Sequence, residues 1–109
     1  MREGSELPVK LLSELDPVLN HPTRFGVMTV LFAIGPQTVG DLVRILNVSY
    51  GPLSTHIRKL KEAGYVESRK VITLKGPRTL LTITSEGIKA YVRHVEKLRK
   101  LVSTISTEA

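Results

Sequence analysis

The sequence predicts a small, mainly helical α+β domain. Three observations support this prediction. Apolar residues recur at helical spacing in the first half of the chain, β-branched residues then dominate two short segments, and a long helical pattern follows them. With 109 residues, 41% of them hydrophobic and 24% charged, the chain is long enough for one folded domain with one modest core. We expect no second domain.

Composition excludes several classes of protein. The chain has no cysteine, which excludes disulfides, thiolate metal sites and cysteine nucleophiles. Its first residues are charged and lack the apolar core of a secretion signal, and the longest apolar run, residues 30–34, is too short to span a bilayer. We therefore expect a cytoplasmic protein with no membrane contact.

The N-terminal third of the chain contains a short apolar segment and two helix starts. Residues 7–15 form the apolar segment. Proline directly after a polar residue, in the Asp-Pro of residues 16–17 and the Asn-His-Pro of residues 20–22, predicts two helix starts because the first helical turn tolerates proline. Apolar residues between 22 and 34 cover most of the helix circumference, which indicates a heavily buried helix that ends at the Gly-Pro of residues 35–36.

The next helix is short. Thr38 is suited to be its N-cap, and Asp41 three residues later completes an approximate capping box. The apolar residues that follow lie on one helical face as far as about Leu46. Residues 47–49 then form a tight turn.

The following helix opens on Tyr-Gly-Pro at residues 50–52. Glycine costs about 1 kcal/mol and proline about 3 kcal/mol in a helix interior. If Ser49 is the N-cap, these residues occupy the first turn, where the backbone N–H groups have no intrahelical partner and both costs are small. The result is a slim, exposed helix end. Further residues of the helix turn inward at spacings of four and three, namely Leu53, Ile57 and Leu60.

After the Ala-Gly of residues 63–64, the segments YVESRKVI and RTLLTIT predict a two-stranded antiparallel ribbon. The Gly-Pro of residues 76–77, with a neighbouring lysine and arginine, breaks the pattern between them and gives the ribbon a basic tip. Leu81 and Ile83 are expected to face the core.

A long helix capped by Thr84 or Ser85 ends the chain, with apolar residues at steps of three and four, the pattern of a heptad seam. The helix is longer than a small core can cover, so we expect its distal half to pack against a second copy; the alternative is that it folds back as core. We thus divide the chain into an N-terminal extension (1–15), a central domain (16–84) and a dimerisation helix (85–109). The predicted dimerisation residues are Ile88, Tyr91, Val95, Leu98, Val102 and Ile105.

The net charge of +6 is concentrated in one segment. Residues 44–78 contain eight Lys or Arg and two Glu, whereas the rest of the chain holds eight basic and eight acidic residues. Such a local excess points to a polyanionic partner, nucleic acid before an anionic membrane surface. The alternative is that these residues only form solvated faces.

The order helix, helix, turn, helix, ribbon, helix is that of a winged helix-turn-helix domain. The runs DPVLNHPTRFGVMTVL, LSTHIRKLKEAGYVESRK and GPRTLLTITSEG resemble the ArsR-like (arsenic-repressor-like) and MarR-like (multiple-antibiotic-resistance-repressor-like) regulators, especially their short archaeal and bacterial members. The resemblance covers about residues 16–95. Two features depart from it: the absence of cysteine argues against soft-metal sensing, and Pro52 is unusual in a recognition helix.

The resemblance implies a homodimeric transcriptional regulator that binds double-stranded DNA and acts as a repressor. The major groove, about 12 Å wide, accepts one helix, and a basic wing can lie on the minor groove or the backbone. Two recognition helices related by a two-fold axis imply a palindromic operator. Arg58 can reach a guanine edge or a phosphate, and Lys59 a phosphate. The predicted DNA-binding residues are Ser49, Tyr50, Gly51, Ser54, Thr55, Arg58 and Lys59 on the helix, and Lys75, Gly76 and Arg78 on the wing.

No catalytic constellation or phosphate-binding loop is present in the sequence, so we expect neither an enzyme nor a cofactor. His21 and His94 match no metal-ligand spacing, so no metal is expected; His56 either packs within the protein or contacts the DNA backbone. The rival function is a winged-helix adaptor that binds proteins in a transcription or replication assembly. The dimer seam, or the cleft beside the terminal helix, could hold a small apolar effector, which the sequence does not identify.

Overall fold

The computed structural model describes the backbone of residues 7–108 and the side chains of residues 9–106. It confirms a mainly helical α+β fold with a long C-terminal helix. Residues 1–6 and 109 of the predicted terminal segments lie outside the described residues. The elements in chain order are α1 (Leu7–Ser13), α2 (Pro22–Ala33), β1 (Gln37–Thr38), α3 (Val39–Leu46), α4 (Tyr50–Glu62), β2 (Val66–Thr73), β3 (Gly76–Ile83) and α5 (Ser85–Glu108).

Only one of the two predicted N-terminal helix starts is correct. Helix α2 begins at Pro22, and the side chain of His21 caps it by accepting the N–H of Thr23. The other start, at residues 16–17, is wrong because a turn forms there instead. The Asp16 carboxylate accepts the N–H of Val18 at 2.8 Å, as an N-cap does, but no helix follows because His21, directly before Pro22, is extended.

Helix α2 is buried over part of its circumference. Val27, Met28, Val30 and Leu31 are buried, whereas Phe32 is 47% exposed. The expectation of a heavily buried helix is therefore confirmed for one broad face.

The short helix α3 has the predicted ends. The Thr38 hydroxyl accepts the N–H of Asp41 at 3.1 Å, and the Asp41 carboxylate accepts the N–H of Thr38 at 3.0 Å, which completes the capping box. Asn47 ends the helix in the left-handed conformation, with a φ of 54°. This left-handed residue turns the chain sharply into α4.

The sheet has three strands in the order β1-β3-β2, rather than the predicted two. Strands β2 and β3 form the expected antiparallel ribbon, and the two residues of β1 pair with Leu80 and Leu81 on its inner strand. The turn of the ribbon consists of Leu74 and Lys75, so the predicted break at residues 76–77 is wrong and lies within β3.

One apolar core joins α2, α3, α4 and α5 with the sheet. Leu81 faces this core as predicted, and Ile83 packs against it. Gly87 lets α5 approach the ribbon closely, because a Cβ on Gly87 would lie 2.1 Å from the carbonyl oxygen of Tyr65. The largest fully buried side chains are Leu19, Val27, Met28, Leu31, Leu42, Leu53, Leu60 and Leu81.

Helix α5 has 24 residues and is capped by Thr84, whose hydroxyl accepts the N–H of Gly87 at 3.0 Å. At 1.5 Å per residue it is about 36 Å long. Helix α1 packs along α5, and Glu14, directly after α1, forms an ion pair with Lys97 at 3.6 Å. The distal turns of α5 extend beyond Val95, the last residue that packs against the core cluster.

Candidate nucleic-acid interface

Helix α4, called the recognition helix below, divides into a buried face and an exposed face. Leu53, Ile57 and Leu60 anchor it in the core, as their spacing predicts. The polar and basic residues point outward on the opposite face. All seven helix residues in the predicted DNA-binding set are exposed, namely Ser49, Tyr50, Gly51, Ser54, Thr55, Arg58 and Lys59.

The first turn of the recognition helix is open. Ser49 occupies the N-cap position with extended backbone, but its side chain makes no capping hydrogen bond. A Cβ added to Gly51 would meet nothing within 4 Å. Packing within the chain therefore does not require glycine at this position. The positive end of the helix dipole and the first-turn N–H groups favour an anion here.

Arg58 extends along the outer face of the recognition helix. Its Nη1 atom lies 3.6 Å from Oε2 of Glu62, one turn later, and both side chains are mostly exposed. Exposed ion pairs of this kind contribute little stability. Arg58 can therefore leave Glu62 for another anion at low cost.

His56 faces the protein rather than solvent. Its ring lies 4.2 Å from the ring of His21 between centroids, and its Nδ1 atom is 3.0 Å from Nη1 of Arg24, which donates the hydrogen bond. Burial lowers the pKa of His56, and the nearby charges of His21, Arg24 and Lys59 lower it further. The packing role is thus the one the structure shows. The sequence carried a signal for it, because residue 56 falls on the same helical stripe as residues 53, 57 and 60.

The wing, formed by β2, β3 and their turn, presents the predicted cations. Lys75 and Arg78 are exposed, and Gly76 has a φ of 99°, in the left-handed region that favours glycine. The guanidinium of Arg78 donates to the carbonyl oxygen of Pro77 at 2.7 Å. Sequence reasoning missed Leu74, which is fully exposed in the turn itself.

A polar cluster joins the turn before α2 to the wing and to α5. The Tyr65 hydroxyl donates to the Asp16 carboxylate at 2.6 Å, and the N–H of Asp16 donates to Nδ1 of His94 at 3.4 Å. Burial and the hydrogen bond to Asp16 raise the pKa of Tyr65 to about 12. Burial lowers the pKa of His94, against the opposing effect of Asp16. Sequence reasoning missed this cluster because its three members are distant in the chain.

The predicted dimerisation residues divide into two groups. Tyr91 is buried within its own chain, where its hydroxyl donates to Thr29 Oγ1 at 2.8 Å and its ring stacks on Phe25. The other five are partly or largely exposed on α5: Ile88, Val95, Leu98, Val102 and Ile105.

No group of three or more His, Cys, Asp or Glu residues that could hold a metal ion occurs within residues 7–108. In the same part of the chain, no helix is both long and apolar enough to cross a membrane.

Comparison with known proteins agrees with this geometry. The model of the family described as winged helix DNA-binding domain matches residues 23–102. A transcriptional regulator homologue from Pyrococcus horikoshii OT3 superposes with a TM-score of 0.81 at 27% identity, over 91% of this chain and 97% of that chain. The Escherichia coli HTH-type transcriptional regulator YgaV is 24% identical over 74 residues, which are 68% of this chain and 71% of that protein.

A structure from Enterococcus faecalis V583, assigned to the MarR family of transcriptional regulators, shares the fold with a TM-score of 0.69 at 23% identity, over 99% of this chain and 92% of that chain. The fold expected from the resemblance is confirmed. The chain belongs to the winged helix DNA-binding domain family and is a winged-helix transcriptional regulator.

Proposed function

We propose that two copies of this chain bind one palindromic duplex and repress transcription there. In this proposal the recognition helix enters the major groove, and the wing lies on the adjacent minor groove or backbone. Residues 16–84 form the DNA-binding part, residues 85–109 form the dimerisation helix, and residues 1–15 are an N-terminal extension. The repressor role rests on the resemblance to ArsR-like and MarR-like regulators. The proposed role is binding rather than catalysis, with no cofactor or effector assigned.

The observation that carries the proposal is the open first turn of the recognition helix. Gly51 has free space around its Cβ position, and Ser49 does not cap the N–H groups beside it. Glycine is unfavourable in helices. Within the chain, only a neighbour that leaves no space for a side chain would explain glycine at this position, and Gly51 has no such neighbour. Close approach of this turn to a DNA backbone supplies the reason instead.

Charge supports the same surface. Residues 44–78 carry the whole net charge of the chain, and Arg58, Lys59, Lys75 and Arg78 are exposed within it. Buried apolar residues hold the inner face of the recognition helix in the core, so Arg58 and Lys59 are presented on a rigid support. A rigid cationic surface binds a polyanion without a large loss of conformational entropy.

Self-association is supported by the exposed apolar positions on distal α5. Val102 and Ile105 are 61% and 51% exposed in the single chain. They belong to the same heptad pattern as Tyr91, which lies nearer the core and is buried there. A second copy packed along this seam would cover them and would place two recognition helices on one duplex.

The test is a salt titration of binding to duplexes selected from a random pool. Each phosphate contact should contribute about −0.9 to the slope of log affinity against log salt. Lys59→Ala should make this slope shallower by about 1, whereas Lys89→Ala, on α5, should leave it unchanged. A slope near zero for the unmodified protein contradicts the proposal.

A further inference from the structure

The tip of the wing ends in an apolar side chain. Leu74 is fully exposed in the two-residue turn, and Ile72, two residues earlier, is 82% exposed. Ile72 lies opposite Pro77 in the register of the ribbon, and Pro77 is also exposed. An isolated exposed leucine is common in proteins. Here three exposed apolar residues lie at the end of a hairpin whose other exposed residues are charged, namely Glu67, Arg69, Lys70, Lys75 and Arg78.

The turn that carries Leu74 is ordered before any contact is made. Strand pairing continues to Thr73 opposite Gly76 at the end of the ribbon. The Thr73 hydroxyl donates to the carbonyl oxygen of Gly76 at 2.7 Å and accepts the N–H of Lys75 at 3.2 Å. A preordered tip loses little conformational entropy when it binds.

Cations lie beside the apolar tip rather than beyond it. The Arg78 side chain is held against the hairpin by its bond to Pro77, and Lys70 Nζ donates to Thr79 Oγ1 at 3.2 Å. The wing thus has an apolar end with basic sides. A DNA groove has the complementary arrangement, with phosphates along its rims and sugars and base edges inside.

We propose that Leu74 enters the minor groove and makes the wing select A·T over G·C pairs, an inference that rests on the proposed function. The minor groove is about 6 Å wide, and only G·C pairs present an amino donor, the guanine N2 group, in it. Leucine cannot accept that hydrogen bond, so the amino group would lose its water without a replacement partner.

A·T pairs meet the same tip more favourably. They present only acceptors in the minor groove, so no amino donor loses its water when Leu74 enters. A-tracts also have a narrow minor groove of enhanced negative potential, which brings the sugar walls closer to Leu74 and attracts the flanking cations.

The first experiment selects bound duplexes from a random pool with the unmodified protein and with Leu74→Ser. The unmodified protein should enrich A·T pairs at the positions next to the half-sites. Leu74→Ser should lose this enrichment, bind about 5- to 20-fold more weakly and keep the base preference within the half-sites. Ile34→Ser is the matched control, because Ile34 is 67% exposed but lies outside the wing; it should behave like the unmodified protein.

The second experiment isolates the minor groove. Replacing G·C by inosine·C at the wing positions removes the N2 amino group and leaves the major-groove pattern intact. The unmodified protein should bind the inosine·C duplex as it binds the A·T duplex. Binding as weak as to G·C, or an unchanged A·T preference in Leu74→Ser, overturns the role of Leu74 while leaving the proposed function in place. Failure of the unmodified protein to enrich any duplex overturns both.

Discussion

The ring of His56 on the recognition helix packs against the ring of His21, which caps α2, with centroids 4.2 Å apart and planes inclined by 38°. The same His56 ring accepts a hydrogen bond from Arg24, whose Nε atom donates to the carbonyl oxygen of Val18 at 2.6 Å. The contact therefore holds the recognition helix against α2 through a neutral imidazole. Protonation of His56 would remove the acceptor and place a third positive group beside Arg24 and Lys59.

This geometry predicts that the fold loses stability in mild acid. Folding lowers the pKa of His56 below its ordinary 6.5, so the unfolded chain binds the proton more readily. The stabilising contribution is complete above pH 6.5 and is lost as the pH falls through the lower folded-state pKa. His94, whose pKa burial also lowers, acts with the same sign.

The measurement is the melting temperature between pH 8 and pH 5 for the unmodified protein and for His56→Gln. Glutamine can still accept from Arg24 but does not titrate, so the variant should show a shallower decline. Asp41 does not interfere, because its hydrogen bonds with Thr38 lower its pKa below 3.8, outside the range. Parallel curves for the two proteins would show that His56 is not the titrating group.

A second prediction concerns Tyr65→Phe. Tyr65 donates to the Asp16 carboxylate at 2.6 Å, and its loss leaves one carboxylate oxygen without this donor. We expect a loss of about 1 to 2 kcal/mol in the free energy of unfolding, measured by urea titration. DNA affinity per folded molecule should not change, because Tyr65 lies outside the proposed interface. A large loss of affinity with unchanged stability would instead place Tyr65 at the DNA.

The helix starts show what local sequence determines in this fold. The capping box of Thr38 and Asp41 lies within four residues, and the sequence predicts it correctly. The turn at residues 16–17 has the same local signature as a helix start. It stays a single turn because His21, directly before Pro22, is extended and interrupts any helix that begins at Asp16. Two start signatures five residues apart cannot both begin a helix, and local spacing alone does not show which one does.

Strand β1 and the apolar seam of α5 depend on residues that are distant in the chain, so local spacing does not predict them correctly. Strand β1 has two residues, too few for a period of two, and it exists because β3 offers an edge to pair with. The heptad spacing on α5 predicts a continuous seam, yet Tyr91 is buried in its own chain, where Phe25 and Phe32 surround it. By contrast, the exposed face of the recognition helix follows directly from the spacing of its three buried residues.

A third prediction separates stability from binding at Gly51. Alanine adds a Cβ into free space in a helical position, so Gly51→Ala should stabilise the fold by up to about 1 kcal/mol. The same Cβ should hinder close approach to DNA and weaken binding about tenfold, or about 1.4 kcal/mol. Gly40→Ala is the matched control, since Gly40 occupies the same place in the first turn of α3. Unchanged affinity in Gly51→Ala would contradict the close approach.

The fourth prediction distinguishes a base contact from a phosphate contact. Arg58→Ala should relax the preference at one base position by about 1 to 3 kcal/mol if the guanidinium contacts a guanine edge. Lys75→Ala should weaken binding to all duplexes alike and reduce the salt slope by about 1. Neither variant should change the melting temperature noticeably, because both side chains are exposed and the Arg58–Glu62 pair contributes little. Competition binding against single-position operator variants measures the difference.

The last prediction addresses the dimer seam. Val102→Glu places a charge where the proposed partner helix would exclude water, and an unpaired charge in an apolar interface is strongly unfavourable. We expect the variant to be a monomer by sedimentation equilibrium, with its core intact because Val102 is 61% exposed in the single chain.

DNA binding by Val102→Glu should weaken more on a palindromic duplex than on a single half-site, since only the former uses both copies. Lys100→Glu is the control: it changes the charge more, but residue 100 lies nearly opposite the seam on α5. If Val102→Glu sediments like the unmodified protein, the distal half of α5 does not hold two copies together. The apolar residues there must then serve another contact, and the expectation of a palindromic operator loses its geometric basis.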